Sequence, residues 1–204
     1  MKTLNKVMEF MAKKNYAMFL DKPYDLNIVG IRSEFVLDKF NCKFLIFYVN
    51  EEKHLQYHLF PGTTYPGKYW LLNPMTSGGT AIITEGQHRS VWNLGMHYNI
   101  LALVQNFQTN TRQKPISWVR VPKGKTNITR EMILKGKVEN GYVGLNLHPV
   151  MDGDNLLVGQ DSAGCQVTTY REDQKFIVQL ACKQVAEKNG DLFTYTLLHE
   201  QDLS

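Results

Sequence analysis

Apolar positions along the chain follow two rhythms. Leu4, Val7, Met8 and Met11 recur at helical spacing, which predicts an amphipathic helix over residues 3–15 packed on its own domain. From Leu26 to about Val121, short β-branched and aromatic runs alternate with turn signals such as Asn50-Glu51-Glu52, Phe60-Pro61-Gly62, Tyr65-Pro66-Gly67 and Ser77-Gly78-Gly79, the texture of a β-rich core. Over Asn41–Val49, Cys42, Phe44, Ile46 and Tyr48 point one way and Leu45, Phe47 and Val49 the other. Both faces of that strand are therefore expected to be covered, with Cys42 a small core residue. Further strands are expected at 68–72, 80–84, 101–105, 117–121, 141–147 and 192–198. A helix is expected at 173–188, opened by Glu172 and Asp173 and stopped by Asn189-Gly190, with Ile177, Leu180, Ala181 and Val185 on its apolar side and Cys182 packed within it. No repeat or linker divides the pattern, so the expected fold is mainly β, a β-rich α+β domain over 1–204. It carries an N-terminal helical segment (1–20) and one C-terminal helix.

Composition narrows the classes. The chain has 204 residues, 43% apolar and 21% charged, and a chain of that size buries about 70% of its unfolded surface, so neither disulfides nor a structural metal are needed. Lys plus Arg number 23 against 19 Asp plus Glu, and no long run of one sign appears, so no nucleic-acid partner is expected. Cys42, Cys165 and Cys182 form no Cys-x-x-Cys pair, which disfavours a zinc ribbon, a thioredoxin motif and a multi-bridge secreted scaffold. Lys2, Lys6, Lys13 and Lys14 interrupt the N-terminus, so neither a signal peptide nor a membrane span is expected and synthesis in the cytosol is implied. His54 and His58 lie four apart but outside a helical pattern and are read as solvated or stacked; Asp152-Gly153-Asp154-Asn155 is read as a turn, because the glutamate that a calcium loop needs is absent. No metal and no cofactor is expected.

The segment richest in chemistry runs from Gly144-Leu145-Asn146-Leu147-His148 through a polar loop to Ser162-Ala163-Gly164-Cys165-Gln166. A strand-end histidine followed by a glycine-cysteine turn is a way to bring an imidazole beside a thiol. The imidazolium would lower the thiol pKa, and backbone N–H groups around Gly164 and Cys165 would stabilise an oxyanion, the requirements of acyl transfer. His88 and His97 fall in an aromatic region with Trp92 and Tyr98, where either lines a cleft, His97 being the better candidate for a third site residue.

These residues resemble the catalytic domain of the L,D-transpeptidases (YkuD-type), whose signature is a strand-end histidine followed by Ser-His-Gly-Cys. Here His148 precedes Cys165 by 17 positions, and the close match covers about residues 143–167. The resemblance implies a β-sandwich or barrel in which Cys165 is the nucleophile, His148 the base, and Ser162 and Gly164 shape the turn. It implies a thioester route to cleaving or exchanging an amide in the peptidoglycan peptide stem. Pro149 follows the first histidine where the family has glycine or a small polar residue, Ala163 replaces the second histidine, and Gln166-Val167 replace the arginine after the cysteine; Ala163 and Gln166 are candidate cleft residues. Arg32 is a candidate to replace that guanidinium, a surface ion pair being the alternative. The Ser-Ala-Gly-Cys-Gln form without an export signal is similar to bacteriophage members, which implies release to the cell wall or carriage in a virion, with other virion proteins as further partners. Hydrolysis is preferred over cross-linking. The rival readings are a non-catalytic phage structural or wall-binding protein on the same fold, and an intracellular cysteine peptidase or amidase acting on a protein.

Overall fold

The computed structural model describes residues 1–108, 110–151 and 156–203. In chain order the elements are α1 (Lys2–Lys13), β1 (Asn27–Arg32), β2 (Cys42–Val49), β3 (Leu55–Thr63), α2 (Lys68–Leu72), β4 (Thr80–Ile83), β5 (Gly86–His97) and β6 (Ile100–Val104). There follow β7 (Ile116–Val121), α3 (Arg130–Lys135), β8 (Glu139–Gly141), β9 (Leu147–Pro149), β10 (Gln166–Thr168), α4 (Arg171–Ala186), β11 (Leu192–His199) and a 3-10 turn, Glu200–Leu203. Eight strands close a barrel in the order β1-β11-β5-β6-β9-β10-β3-β2, and β4-β7-β8 form a smaller antiparallel sheet beside it. Two barrel pairs are parallel, β1 with β11 and β9 with β10. The fold is a β-rich α+β arrangement with helices near both ends of the chain. No helix among the described residues is long and apolar enough to cross a membrane.

Strand β2 shows why the barrel forms. Phe44, Ile46 and Tyr48 enter the inner core with Trp92, Leu147 and Tyr195, while Leu45 and Phe47 turn outward beneath α1. On that outer side Leu4, Val7 and Met11 of α1 meet Val29, Ile31 and Leu198. Each large side chain so buried contributes about 1.5–3 kcal/mol. The inner core is completed by Ile177, Leu180 and Ala181 of α4 and by Ala81, Ile83, Ile116 and Trp118 of the smaller sheet. Cys42 is buried in a third cluster with Tyr65, Leu71, Ile82 and Val119, the small core residue that its strand position implied.

Three expectations are corrected. Residues 68–72 are helix α2, not a strand: Leu71 N–H returns to Gly67 O at 3.2 Å and Asn73 N–H to Tyr69 O at 2.8 Å, so the segment bonds to itself. The strand expected at 141–147 is split, ending at Gly141 and resuming at Leu147. Between them the Gln105 side-chain oxygen accepts the N–H groups of Val143, Gly144 and Leu145, at 3.0, 3.2 and 3.4 Å, in place of a ladder partner. In α4 the inward seam is Gln174, Ile177, Leu180, Ala181 and Gln184, while Cys182 and Val185 are exposed. Gln184 is inward because its amide accepts from Leu26 N–H (2.9 Å) and donates to Gly190 O (3.3 Å), tying the helix end to the strand entrances on either side.

Candidate functional site

Cys165 occupies a turn that only glycine can open. Gly164 has φ +123, and a Cβ there would lie 2.5 Å from Ala81 O, so an L side chain is excluded by both conformation and space. Ser162 braces the turn: its hydroxyl donates to Cys165 O (2.8 Å) and accepts from Gly164 N–H (3.2 Å). Ser162 and Gly164 hold the backbone turn that carries Cys165. The oxyanion role given to Gly164 N–H is corrected, because that donor is already engaged.

Past the turn, β10 runs parallel to β9 with Gln166 opposite Leu147 and Val167 opposite His148, and Gln166 N–H donates to Asn146 O at 2.8 Å. Alternation along the pair divides the side chains. Leu147 and Gln166 face the barrel interior, where Tyr195 OH donates to the Gln166 side-chain oxygen at 2.6 Å. Gln166 is thus a buried core residue and not a cleft residue, because an interior hydroxyl claims its amide. On the opposite face lie Asn146, His148, Cys165 and Val167. Extending the register back, Cys165 falls opposite Asn146, two residues before Val167, which makes His148 its diagonal neighbour, about 8 Å away between Cα atoms from strand spacing and rise.

The thiol donates to Gly144 O (3.4 Å), accepts from Asn146 N–H (3.5 Å), and packs with Val150, Val167 and Phe40. Burial pushes its pKa up to about 11, opposed by the Asn146 N–H, so the proton stays on sulfur. His148 is 1% exposed. Its Nδ1 lies 2.7 Å from Pro149 O, and a carbonyl can only accept, so Nδ1 carries the hydrogen and Nε2 the lone pair. Nε2 is buried without a partner. Neither ring nitrogen is bonded to the thiol. Burial first, then the neighbouring His97, lowers the His148 pKa to about 3, the Pro149 bond opposing both. The ion pair expected from the sequence is therefore replaced at rest by a neutral thiol and a neutral imidazole.

His97 belongs to this group: its ring stacks on His148 with centroids 4.0 Å apart and planes inclined by 22°. Asn146, which the sequence reading did not single out, joins the parts. Its side-chain oxygen accepts Gln105 N–H (2.8 Å), which fixes the amide, so its Nδ2 donates to His97 Nδ1 (3.0 Å). One residue thus holds His97 by its side chain, the thiol by its backbone N–H and β10 by its carbonyl.

Other candidates lie elsewhere. Arg32 is corrected to a wholly buried residue of the barrel interior, neither a cleft guanidinium nor a surface ion pair. Its Nε donates to Thr64 Oγ1 (3.0 Å) and its Nη2 to Thr64 O (3.1 Å) and Ile83 O (2.9 Å), and its guanidinium covers the Tyr65 ring. His88 is buried with Nε2 2.9 Å from Thr84 O. His58 is stacked between Tyr48 and Phe60, and His54 is exposed. Ala163 is half-buried beside the cysteine. The turn read at Asp152–Asn155 lies outside the described residues, and among those described no group of three or more His, Cys, Asp or Glu is placed to hold a metal ion. Comparison of the chain with protein-family models, with curated proteins and with solved structures finds no match.

Proposed function

We propose that the chain is a cysteine acyl-transfer enzyme in which Cys165 attacks an amide of the peptidoglycan peptide stem. The observation that carries the chemistry is the unpartnered Nε2 of His148, fixed as a lone pair by the Nδ1 bond to Pro149 O, on the face that also bears Cys165. The substrate class rests on the resemblance of residues 143–167 to the L,D-transpeptidases.

In the reaction the Sγ–H proton passes to His148 Nε2 as sulfur bonds to the carbonyl carbon. The imidazolium returns that proton to the leaving amine as the C–N bond breaks, leaving a thioester. Water then attacks the thioester and gives one proton to Nε2, and the imidazolium passes that proton to sulfur as the C–S bond breaks, releasing the acid and the thiol; an amine in place of water gives exchange. Because both groups are neutral at rest, proton transfer accompanies attack and does not precede it. His97 and Asn146 are positioning residues that hold the ring and the thiol. We prefer hydrolysis and a role in phage-associated lysis.

A second reading, a non-catalytic phage structural or wall-binding protein on the same fold, is favoured by one observation: the thiol donates to Gly144 O and is buried to a pKa of about 11. Purified protein incubated with isolated sacculi separates the two. The enzyme changes the muropeptide profile and the Cys165→Ala and His148→Ala proteins do not, whereas Cys165→Ala acting as well as wild type removes the enzyme. Degradation of casein with sacculi untouched transfers the dyad to a protein peptidase. Iodoacetamide adds a substrate-free reading. With a folded pKa near 11, about one Cys165 thiol in 10,000 is ionised at pH 7, so exposed Cys182 is alkylated first and the Cys165 rate climbs about tenfold per pH unit up to that value.

A further inference from the structure

The barrel closes unevenly at β3. Strand β2 pairs with it from Leu55 to Gly62, whereas β10 pairs with it only at Thr63 and Gly62, Thr169 N–H adding a bond to Pro61 O at 3.0 Å. In an antiparallel ladder the N–H and C=O of one residue point to the same side, and the side alternates along the strand. Pro61 O points to β10, and His54 O points into the β2–β3 turn, where Asn50 N–H donates to it at 3.0 Å. Even-numbered residues of β3 therefore serve β2, and the N–H and C=O of Leu55, Tyr57 and Leu59 face away from it. No strand among the described residues pairs with these three on that side.

This open edge is apolar and uncharged. Leu55, Tyr57 and Leu59 are 41%, 39% and 42% exposed on the outer face beside α1, whose terminal amine donates to Tyr57 OH at 2.6 Å. On the inner face His58 and Phe60 pack on each other and on Phe176, which holds the strand in place. No Lys, Arg, Asp or Glu occurs from Leu55 to Gly62, although exposed edges are ordinarily blunted by charge. The window is also bounded. Pro61 has no N–H and its carbonyl is taken, and at the other end the chain turns at Asn50–Lys53. Between these limits residues 55–59 read Leu-x-Tyr-x-Leu in either direction.

That symmetry selects the occupant. A two-fold axis through Tyr57 sets Leu55 of one copy opposite Leu59 of the other and Tyr57 opposite itself. Every residue in these pairs presents its N–H and C=O to the partner, so each pair exchanges two hydrogen bonds. The same rotation carries Glu51 and Glu52, exposed at one end and outnumbering Lys53, towards the exposed Lys43 of the other copy, which lies opposite Pro61. The strand is complementary to itself in bonding, in apolar pairing and in charge.

We propose that the chain forms a two-fold dimer by antiparallel pairing of β3 with β3 of a second copy, one sheet running through both barrels with Leu55, Tyr57 and Leu59 between the two α1 helices. So short a pairing buries less than the roughly 1,600 Å² of a standard interface, so the dimer exchanges with monomer. Sedimentation velocity of the full chain from about 10 µM to about 500 µM should follow a monomer–dimer equilibrium. Over the same range, hydrogen exchange at the amides of Leu55, Tyr57 and Leu59 should slow with concentration, while Gln56 and His58, already bonded to β2, stay unchanged. Tyr57→Lys and Tyr57→Glu each set like charges on the axis and should raise the dissociation constant about tenfold or more with the far-UV circular dichroism unaltered. An equimolar mixture of the two variants should associate more tightly than either alone. A chain that is monomeric throughout overturns the proposal and leaves the edge to a strand of another protein. A dimer whose Leu55, Tyr57 and Leu59 amides gain no protection overturns it equally, and both results use only the wild-type chain. So does a Tyr57→Lys protein that dimerises as wild type, or a mixture no tighter than its components.

Discussion

Among single residues, His148 carries the largest electrostatic consequence. Burial, reinforced by the ring of His97, holds its folded pKa near 3, against about 6.5 for an unfolded histidine. As pH falls, the unfolded chain takes the proton first. The neutral ring's contribution is therefore intact above pH 6.5 and is lost progressively towards pH 3, about 5 kcal/mol in all. Urea midpoints measured from pH 7 to pH 4 should drop steeply for wild type and less for His148→Gln, which has no ring to protonate; equal slopes would show that the buried imidazole is not the acid-sensitive group. The same residue shows what sequence alone can reach. His148 and Cys165 were legible because a short motif places both on adjoining chain segments. Asn146 was not, since its partners come from His97 and from Gln105 N–H, 49 and 41 positions away, and become partners only once β5, β6 and β9 are side by side. Arg32 misled for the converse reason: a lone arginine after an apolar run looks like a strand leaving the core, yet backbone carbonyls of Thr64 and Ile83 receive it inside.

Elements were readable where one chemical period met one covered face. Strand β2 is the clearest, because its two alternating sets have two separate destinations, the barrel interior and α1. Helix α1 was readable for the same reason. Met11 is 1% exposed beneath it. Met11→Ala should cost about 2–4 kcal/mol by opening a cavity between helix and barrel, which for a chain of this length lowers Tm by roughly 4–16 °C. Differential scanning calorimetry checks it, and an unchanged Tm would mean that α1 adds little to the folded state. Strand β5 escaped because Gln87, His88 and Asn93 break its apolar pattern. Their polar groups are satisfied by distant parts of the chain, Gln87 by Ala17 O at 2.9 Å and Asn93 by Gln113 at 2.5 Å. Helix α2 escaped because five residues are too few for a period of 3.6 to show itself.

At the scale of the whole molecule, the barrel is sewn together by segments far apart in sequence. Arg130 of α3 grips both Glu85, beside β5, and Asp202 in the 3-10 turn, through nitrogen–oxygen contacts of 2.6 and 2.5 Å. Strand β11 lies between β1 on one side and β5 on the other. A nascent chain lacking residues 192–199 therefore exposes two unsatisfied strand edges and an open hydrophobic trough, and no shorter closure is available to it. Until that stretch is delivered, the other seven barrel strands cannot close on one another in the native order, and their exposed edges favour aggregation. Chains ended before Leu192 should accumulate in the insoluble fraction on expression and, supplied in trans with a peptide of residues 192–203, should recover soluble, protease-resistant material.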